Sequence, residues 1–349
     1  MERNALHILK EGTVIPATPL ALDENRRFDE ARQRLLTRYY LEAGAGGIAT
    51  AVHSTQFEIR DPKVNLFETV LKTVSDEIKC FEKETGKTIV KVAGVCGKTE
   101  QAVSEAALAK TYGYDAVLLS PGGLSDFDES YLVERTKAVA KEMPVIGFYL
   151  QPSVGGRAFS YSYWEQICEI PNVVAIKCAP FSRYLTLDVV RACAFSSRCN
   201  EITLYTGNDD NILVDLLTEY RFTKENGEVV TKHFSGGLLG HWCVWTHKVA
   251  KLFEQIKDRK ATPELLTLAA EITDANAVVF DAAHNFAGCI PGIHEILHRQ
   301  GLLKGIWCLN PDEVLSAGQS EEIDRIYRMY PHLADDEFVR EFLKKHECI

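Results

Sequence analysis

The sequence lacks the features that mark membrane, secreted and nucleic-acid-binding proteins. No stretch approaches the ~20 apolar residues that a transmembrane helix needs, and residues 1–7 show no apolar core of a signal peptide. Positive charge is also scarce, since 39 Lys and Arg residues against 49 Asp and Glu residues give a net charge of −10. We therefore expect neither a nucleic acid nor a membrane as partner, and an anionic ligand would need a local cation or main-chain N–H donors.

Paired cysteines are missing as well. The ten cysteines are scattered from Cys80 to Cys348, none forms a CxxC pair, and several lie inside apolar runs. This pattern is typical of reduced core residues in a cytoplasmic protein, and it argues against a disulfide framework or a zinc site.

What the chain does contain is a regular alternation of strand-like and helical segments. The strand-like runs lie at 13–18, 47–52, 88–93, 115–119, 144–149, 173–177, 201–205 and 233–239. Eight strands, each followed by a helix, predict an α/β fold with a parallel sheet that closes into a (β/α)8 TIM barrel. The alternative, an open doubly wound sheet, is disfavoured because no GxGxxG follows the first strand.

The barrel is predicted to occupy residues 1–260 of a single domain. A polar stretch at 224–228 predicts a surface hairpin or loop before the last strand. Helical patterns at 263–283, 292–300, 320–329 and 335–346 predict a C-terminal helical extension, 261–349, of the same domain.

Lys177 and Tyr149 are the candidate catalytic pair. Lys177 ends the buried-strand pattern VVAIK, and burial would depress its pKa and leave a free amine that can attack a carbonyl. Tyr149 ends the preceding strand, where its hydroxyl could move protons during imine chemistry. The alternatives are a lysine that snorkels to the surface and a tyrosine that only packs.

These residues lie in motifs that resemble the dihydrodipicolinate synthase / N-acetylneuraminate lyase superfamily. The motifs are GFYLQPS at 147–153, VAIK at 174–177, GTVIPATPL at 12–20 and AGAGGI at 43–48. The resemblance implies a class I Schiff-base lyase that uses neither metal nor cofactor. Lys177 would form an imine with pyruvate or another 2-oxo acid, and Tyr149 would shuttle protons. It also implies a homo-oligomer, a dimer or a tetramer.

The loop after the second strand departs from that family. VHSTQ at 52–56 stands where the family usually carries GTTGE, whose hydroxyl and N–H groups bind the 2-oxo acid carboxylate. Ser54 keeps a hydroxyl there, and we expect Ser54 and Thr55 to bind substrate. His53 replaces a relaying hydroxyl, so it is either a proton relay or a neutral hydrogen-bonding spacer.

Other departures concern the second substrate. Gly122 and Gly123 stand where the synthases have a tyrosine pair, and Val154 stands where they have a carboxylate-binding arginine. Arg157 is a possible substitute for that arginine. The glycine-rich run that contains Leu238 is expected to present main-chain carbonyls to the bound oxo acid.

The motif HEILH at 294–298 matches the HExxH zinc signature. It lies beyond the eighth strand with no third ligand nearby in sequence, so we predict no metal site. The leading hypothesis is a Schiff-base lyase that performs aldol cleavage, aldol condensation or dehydration of a deoxy sugar acid. The alternatives are a non-catalytic paralogue that binds an oxo acid or amino acid as sensor or scaffold, and a zinc hydrolase that uses His294 and His298.

Overall fold

Eight parallel strands form the centre of the protein, which a computed structural model describes over residues 4–346. The strands are β1 (Val14–Pro16), β2 (Gly47–Thr50), β3 (Val90–Val95), β4 (Ala116–Leu119), β5 (Val145–Leu150), β6 (Val173–Ala179), β7 (Thr203–Thr206) and β10 (Phe234–Leu239). Nearly every residue in them is buried, as expected for parallel strands that are covered on both faces.

The strands follow one another around a barrel. Their order is β1-β10-β7-β6-β5-β4-β3-β2, and a parallel bridge between Ala17 and Ala49 brings β1 against β2. The predicted TIM barrel is confirmed. The polar insertion before the last strand is an antiparallel hairpin of β8 (Tyr220–Thr223) and β9 (Val229–Lys232).

Nine helices belong to the barrel within residues 4–346. They are α1 (Ala5–Glu11), α2 (Glu30–Ala43), α3 (Phe67–Thr85), α4 (Thr99–Thr111), α5 (Glu129–Ala140), α6 (Tyr161–Cys168), α7 (Arg183–Phe195), α8 (Ile212–Leu217) and α9 (Thr246–Gln255). Local chemistry sets their ends. The Asp29 side chain accepts the N–H of Arg32 at the start of α2, and Gly44 ends that helix with φ of 108°.

Four further helices form the C-terminal extension. They are α10 (Pro263–Val279), α11 (Cys289–Arg299), α12 (Gln319–Met329) and α13 (Asp336–His346). Tyr39 of α2 donates its hydroxyl to Asp335, just before α13, and its ring contacts Phe338 and Phe342. One apolar core includes residues of the barrel and of the extension. The extension therefore packs directly on the barrel.

The nine cysteines between residues 4 and 346 are unpaired, and six of them are buried; Cys348 lies outside the described residues. No helix within this range is both long and apolar enough to cross a membrane.

Candidate active site

A cavity of about 70 Å³ lies at the carboxyl ends of the barrel strands. Since one water molecule needs roughly 10–15 Å³ of such space, the cavity can hold a small molecule. The polar side chains in its wall are His53, Ser54, Gln151, Lys177 and Asp209. Lys177 lies near the end of β6, and the others follow β2, β5 and β7, as expected for the functional end of a TIM barrel.

Lys177 reaches the cavity from β6 and is only 8% exposed. Its Nζ lies 4.5 Å from the centre of the Phe148 ring. Its aliphatic stem runs along Gly207, where an added Cβ would lie 2.5 Å from the lysine Cε. Burial lowers the pKa of Lys177, and the negative charge of Asp209 opposes this shift. The lysine therefore has an enlarged fraction of free amine near neutral pH.

Asp209 is an ionisable residue of the cavity that the sequence did not single out. It is 5% exposed, lies two residues beyond Gly207, and accepts the main-chain N–H of His241 at 3.1 Å. Burial raises the pKa of its carboxyl group, while Lys177 lowers it. The signal available was the run TGNDD directly after β7, but nothing local shows that this carboxyl turns toward Lys177.

Buried hydrogen bonds fix the loop that carries Asp209. The Asn208 side chain donates to Asp215 at 2.9 Å and accepts the N–H of Phe181 at 3.1 Å. Asp215 also accepts the Thr206 hydroxyl at 2.7 Å. This network holds the ends of β6 and β7 together on the outer side of the barrel, so Asp209 is positioned by a rigid support.

His53 begins a short 3-10 helix, His53–Thr55, after β2. Its half-buried ring meets Phe57 edge-on with centroids 6.1 Å apart. Burial, and secondly the charge of Lys177, lower the pKa of His53 to about 4. The imidazole is therefore neutral at physiological pH and can donate one hydrogen bond and accept another.

The two hydroxyls that follow His53 hold the loop in place. The Ser54 hydroxyl donates to the Ala17 carbonyl, although the residue still lines the cavity. The Thr55 hydroxyl donates to the Thr18 carbonyl at 2.6 Å, and Thr55 does not line the cavity. The expected substrate contact of Thr55 is thus replaced by a contact with the end of β1.

The structure corrects the placement of Tyr149. Its ring is fully buried against Phe159 and Trp164, outside the barrel, and its hydroxyl accepts the main-chain N–H of Phe159 at 3.1 Å. In the ladder between β5 and β6, Tyr149 pairs with Cys178, whereas Lys177 pairs with Phe148. Because successive side chains of a strand alternate between faces, Tyr149 and Lys177 lie on opposite faces.

Two further residues that were predicted to contact the substrate do not line the cavity as Lys177 does. Leu238, in the run whose main-chain carbonyls are expected to face the oxo acid, does not line it, whereas Gly240 at the end of the same run does. Arg157 also lies outside it, because its guanidinium donates to the Phe127 carbonyl and stands 5.6 Å from the Phe159 ring centre. Val154 does line the cavity.

The HEILH motif lies on α11. His294 is buried inside the extension, Glu295 pairs with Arg299 at 2.7 Å, and His298 donates from Nδ1 to the Leu303 carbonyl at 3.2 Å. Over residues 4–346, no group of three or more potential metal ligands comes together.

A model of the dihydrodipicolinate synthetase family matches residues 10–219, which is more than half of the chain. A probable 5-dehydro-4-deoxyglucarate dehydratase from Pseudarthrobacter chlorophenolicus is 30% identical over 134 residues. That match spans 38% of this chain and 40% of the relative's length.

Solved structures resemble the chain over almost its whole length. The chloride-inhibited dihydrodipicolinate synthase of Acinetobacter baumannii, complexed with pyruvate, has a TM-score of 0.72 at 18% identity and covers 91% of this chain and 98% of its own. The N-acetylneuraminate lyase of Fusobacterium nucleatum has a TM-score of 0.71 at 16% identity, with coverage of 92% and 99%. Identities this low show a common fold.

Proposed function

Since the chain belongs to the dihydrodipicolinate synthetase family, we propose that it is a lyase that forms an imine between Lys177 and a 2-oxo acid such as pyruvate. The observation that carries the proposal is a buried lysine with a lowered pKa in the wall of the barrel-end cavity. A related dehydratase named for an oxo sugar acid and a structural neighbour complexed with pyruvate support the choice of substrate class.

The chemistry begins with the free amine of Lys177. The amine adds to the keto carbon of the oxo acid, and loss of one water molecule gives the imine. The protonated imine nitrogen withdraws electrons. A proton or a carbon substituent can therefore leave the carbon next to the imine carbon, and an enamine forms. Water later hydrolyses the imine and restores the lysine.

Proton transfer is assigned to Asp209, and orientation of the oxo acid is assigned to His53. Asp209 lies beside Lys177 with a raised pKa, so it can protonate the hydroxyl that leaves during imine formation and take the proton back. Neutral His53 orients the oxo acid by hydrogen bonding. This assigns His53 the role of a neutral hydrogen-bonding partner, because a pKa of about 4 disfavours its protonated form.

The substrate carboxylate is placed beside Ser54. Ser54 lines the cavity, and its hydroxyl is a polar group at the position where the family binds the oxo acid carboxylate. Thr55 acts on this contact only by holding the turn against β1.

Borohydride trapping tests the proposal. Incubation with pyruvate and borohydride is expected to give a stable adduct that peptide mapping locates on Lys177. Lys91 offers an internal comparison, because it is a second buried lysine on a barrel strand but pairs with Glu82 at 3.1 Å. An adduct on Lys91 or no adduct with any 2-oxo acid contradicts the proposal.

The alternative function, binding without turnover, is favoured by one observation. Tyr149 is absent from the cavity, so the proton shuttle implied by the family resemblance is missing at its expected place. Thermal stabilisation by 2-oxo acids without any imine trapping would support a sensor or scaffold. A dimer or tetramer remains a prediction that sedimentation can check.

A further inference from the structure

Polar and apolar side chains share the lining of the cavity. The polar side chains are the five described above, Lys177 among them. The apolar wall, as the term is used below, consists of Leu118, Leu150, Val154, Phe181, Phe280 and Phe286. A 2-oxo acid bound to Lys177 would share the cavity with this wall.

The apolar wall contains no cation. Lys177 is the only lysine and no arginine lines the cavity, as far as the chain is described. Val154 occupies the wall, while Arg157 is held at the Phe127 carbonyl. A second carboxylate would therefore lose its hydration without gaining a counter-charge, close to the carboxyl group of Asp209.

Two aromatic residues of the apolar wall have unusual backbone conformations. Phe181 has φ of 51° and Phe286 has φ of 67°, values that bulky residues rarely adopt. Their rings meet edge-on with centroids 5.7 Å apart. Phe181 follows β6 and Phe286 belongs to the extension, so a contact between barrel and extension forms part of the cavity lining.

A third ring occupies space that a glycine leaves open. An added Cβ at Gly240 would lie 2.8 Å from Cζ of Phe280. A side chain at position 240 would therefore require the ring to shift. Phe181 of the barrel and Phe280 and Phe286 of the extension therefore all line the cavity.

We propose that the carbonyl partner of the 2-oxo acid is an uncharged apolar aldehyde, aryl or branched aliphatic. This inference rests on the proposed imine chemistry of Lys177 and deepens it. The enamine carbon of lysine-bound pyruvate attacks the aldehyde carbon, a C–C bond forms, and the aldehyde oxygen takes up a proton. Hydrolysis consumes the water molecule that imine formation released and frees a 4-hydroxy-2-oxo acid. The reverse reaction cleaves the same bond.

The test measures pyruvate consumption with benzaldehyde, 3-methylbutanal, glyceraldehyde and succinic semialdehyde as partners. We expect kcat/KM for the two apolar aldehydes to exceed that for the hydroxylated and carboxylated ones by at least about 10-fold, since one methylene in an apolar pocket is already worth 10-fold or more. A preference for glyceraldehyde or succinic semialdehyde would overturn the inference.

Two substitutions at Val154 sharpen the test. Val154→Arg adds a cation to the apolar wall and is expected to shift preference at least about 10-fold toward succinic semialdehyde. Val154→Met, the matched control, adds bulk without charge and should retain the preference for apolar aldehydes. Equal shifts in both variants would contradict the role of charge.

Borohydride trapping of pyruvate, run on every protein, separates the two proposals and reports correct folding. If the unmodified protein forms no adduct with pyruvate, the proposed imine chemistry is wrong. If the adduct forms but none of the four aldehydes is turned over, only the inference about the aldehyde is wrong.

Discussion

The two faces of the β5–β6 ladder carry side chains with different surroundings. On the inner face, Phe148 and Lys177 pair and meet the cavity. On the outer face, Tyr149 and Cys178 pair and pack against the helical layer. Tyr149 and Lys177 are the residues whose types suggest a catalytic pair, yet the barrel wall lies between them.

A bulge produces this arrangement. Val145 pairs with Val173, but Ile146 pairs with Ala175, so Val174 is an extra residue in β6. Without it, the offset of 28 residues would continue and pair Tyr149 with Lys177. Because a shift of one residue moves side chains to the other face, the bulge pairs Lys177 with Phe148 instead.

The largest effect is expected at the inner face. Lys177→Ala should abolish trapping and lower turnover roughly 10³-fold or more, because no other amine lines the described cavity. The matched control is Lys91→Ala, which removes a buried lysine that pairs with Glu82. It should lower stability and leave trapping intact. Equal trapping by the Lys177 variant and the unmodified protein would refute the assignment.

Asp209→Asn is expected to have the next largest effect. Loss of a general acid–base group should slow turnover about 10²-fold. Asp209 raises the pKa of Lys177, so its removal should lower that pKa and move the acid limb of the trapping rate to lower pH.

Rates of trapping and turnover across the pH range check both effects. Asp210→Asn is the control, because the neighbouring Asp210 is half-buried and does not line the cavity. A limb that moves to higher pH in the Asp209 variant would contradict the proposed interaction.

Phe148→Leu should produce a smaller change. The ring face stabilises the charged amine by about 0.5–1 kcal/mol, so its loss should lower the pKa of Lys177 by about half a unit. The trapping midpoint should move accordingly, while Phe148→Tyr keeps the ring and should not move it. No difference between the two variants would show that the ring contact does not tune the lysine.

Tyr149→Phe is expected to have the smallest effect on activity, within about twofold, because its hydroxyl lies outside the cavity. The unpaired N–H of Phe159 should lower the free energy of unfolding by about 1–3 kcal/mol. Tyr205→Phe, whose buried hydroxyl donates to the Leu9 carbonyl at 2.8 Å, should cost a similar amount. Denaturant unfolding and turnover measure both. A turnover loss near 10²-fold at unchanged stability would contradict this prediction and indicate that Tyr149 takes part in catalysis.

Much of the architecture could be predicted because its signals are local. Apolar runs near 47–50, 90–95 and 173–177 predict buried strands, and the helical periodicity between them predicts the helices that connect parallel strands. The hairpin at β8 and β9 follows from its polar turn. The placement of Lys177 at the end of a barrel strand follows from the same pattern.

The composition of the site could be predicted only in part. Ser54 and His53 line the cavity, whereas Thr55 bonds to β1 and Arg157 bonds to the Phe127 carbonyl. These hydrogen-bond partners are remote in sequence, so no local pattern predicts which hydroxyl or guanidinium remains available to a ligand.

The alternation of strands and helices, and a lysine near the end of a parallel strand, can be predicted from the sequence alone. Which residue lies beside this lysine, Asp209 or Tyr149, emerges only in the folded protein. Strand register and loop conformation depend on hydrogen bonds between distant segments, which no local pattern encodes. The extra residue Val174 sets the register of β6, and the Asn208–Asp215 contact fixes the loop that carries Asp209.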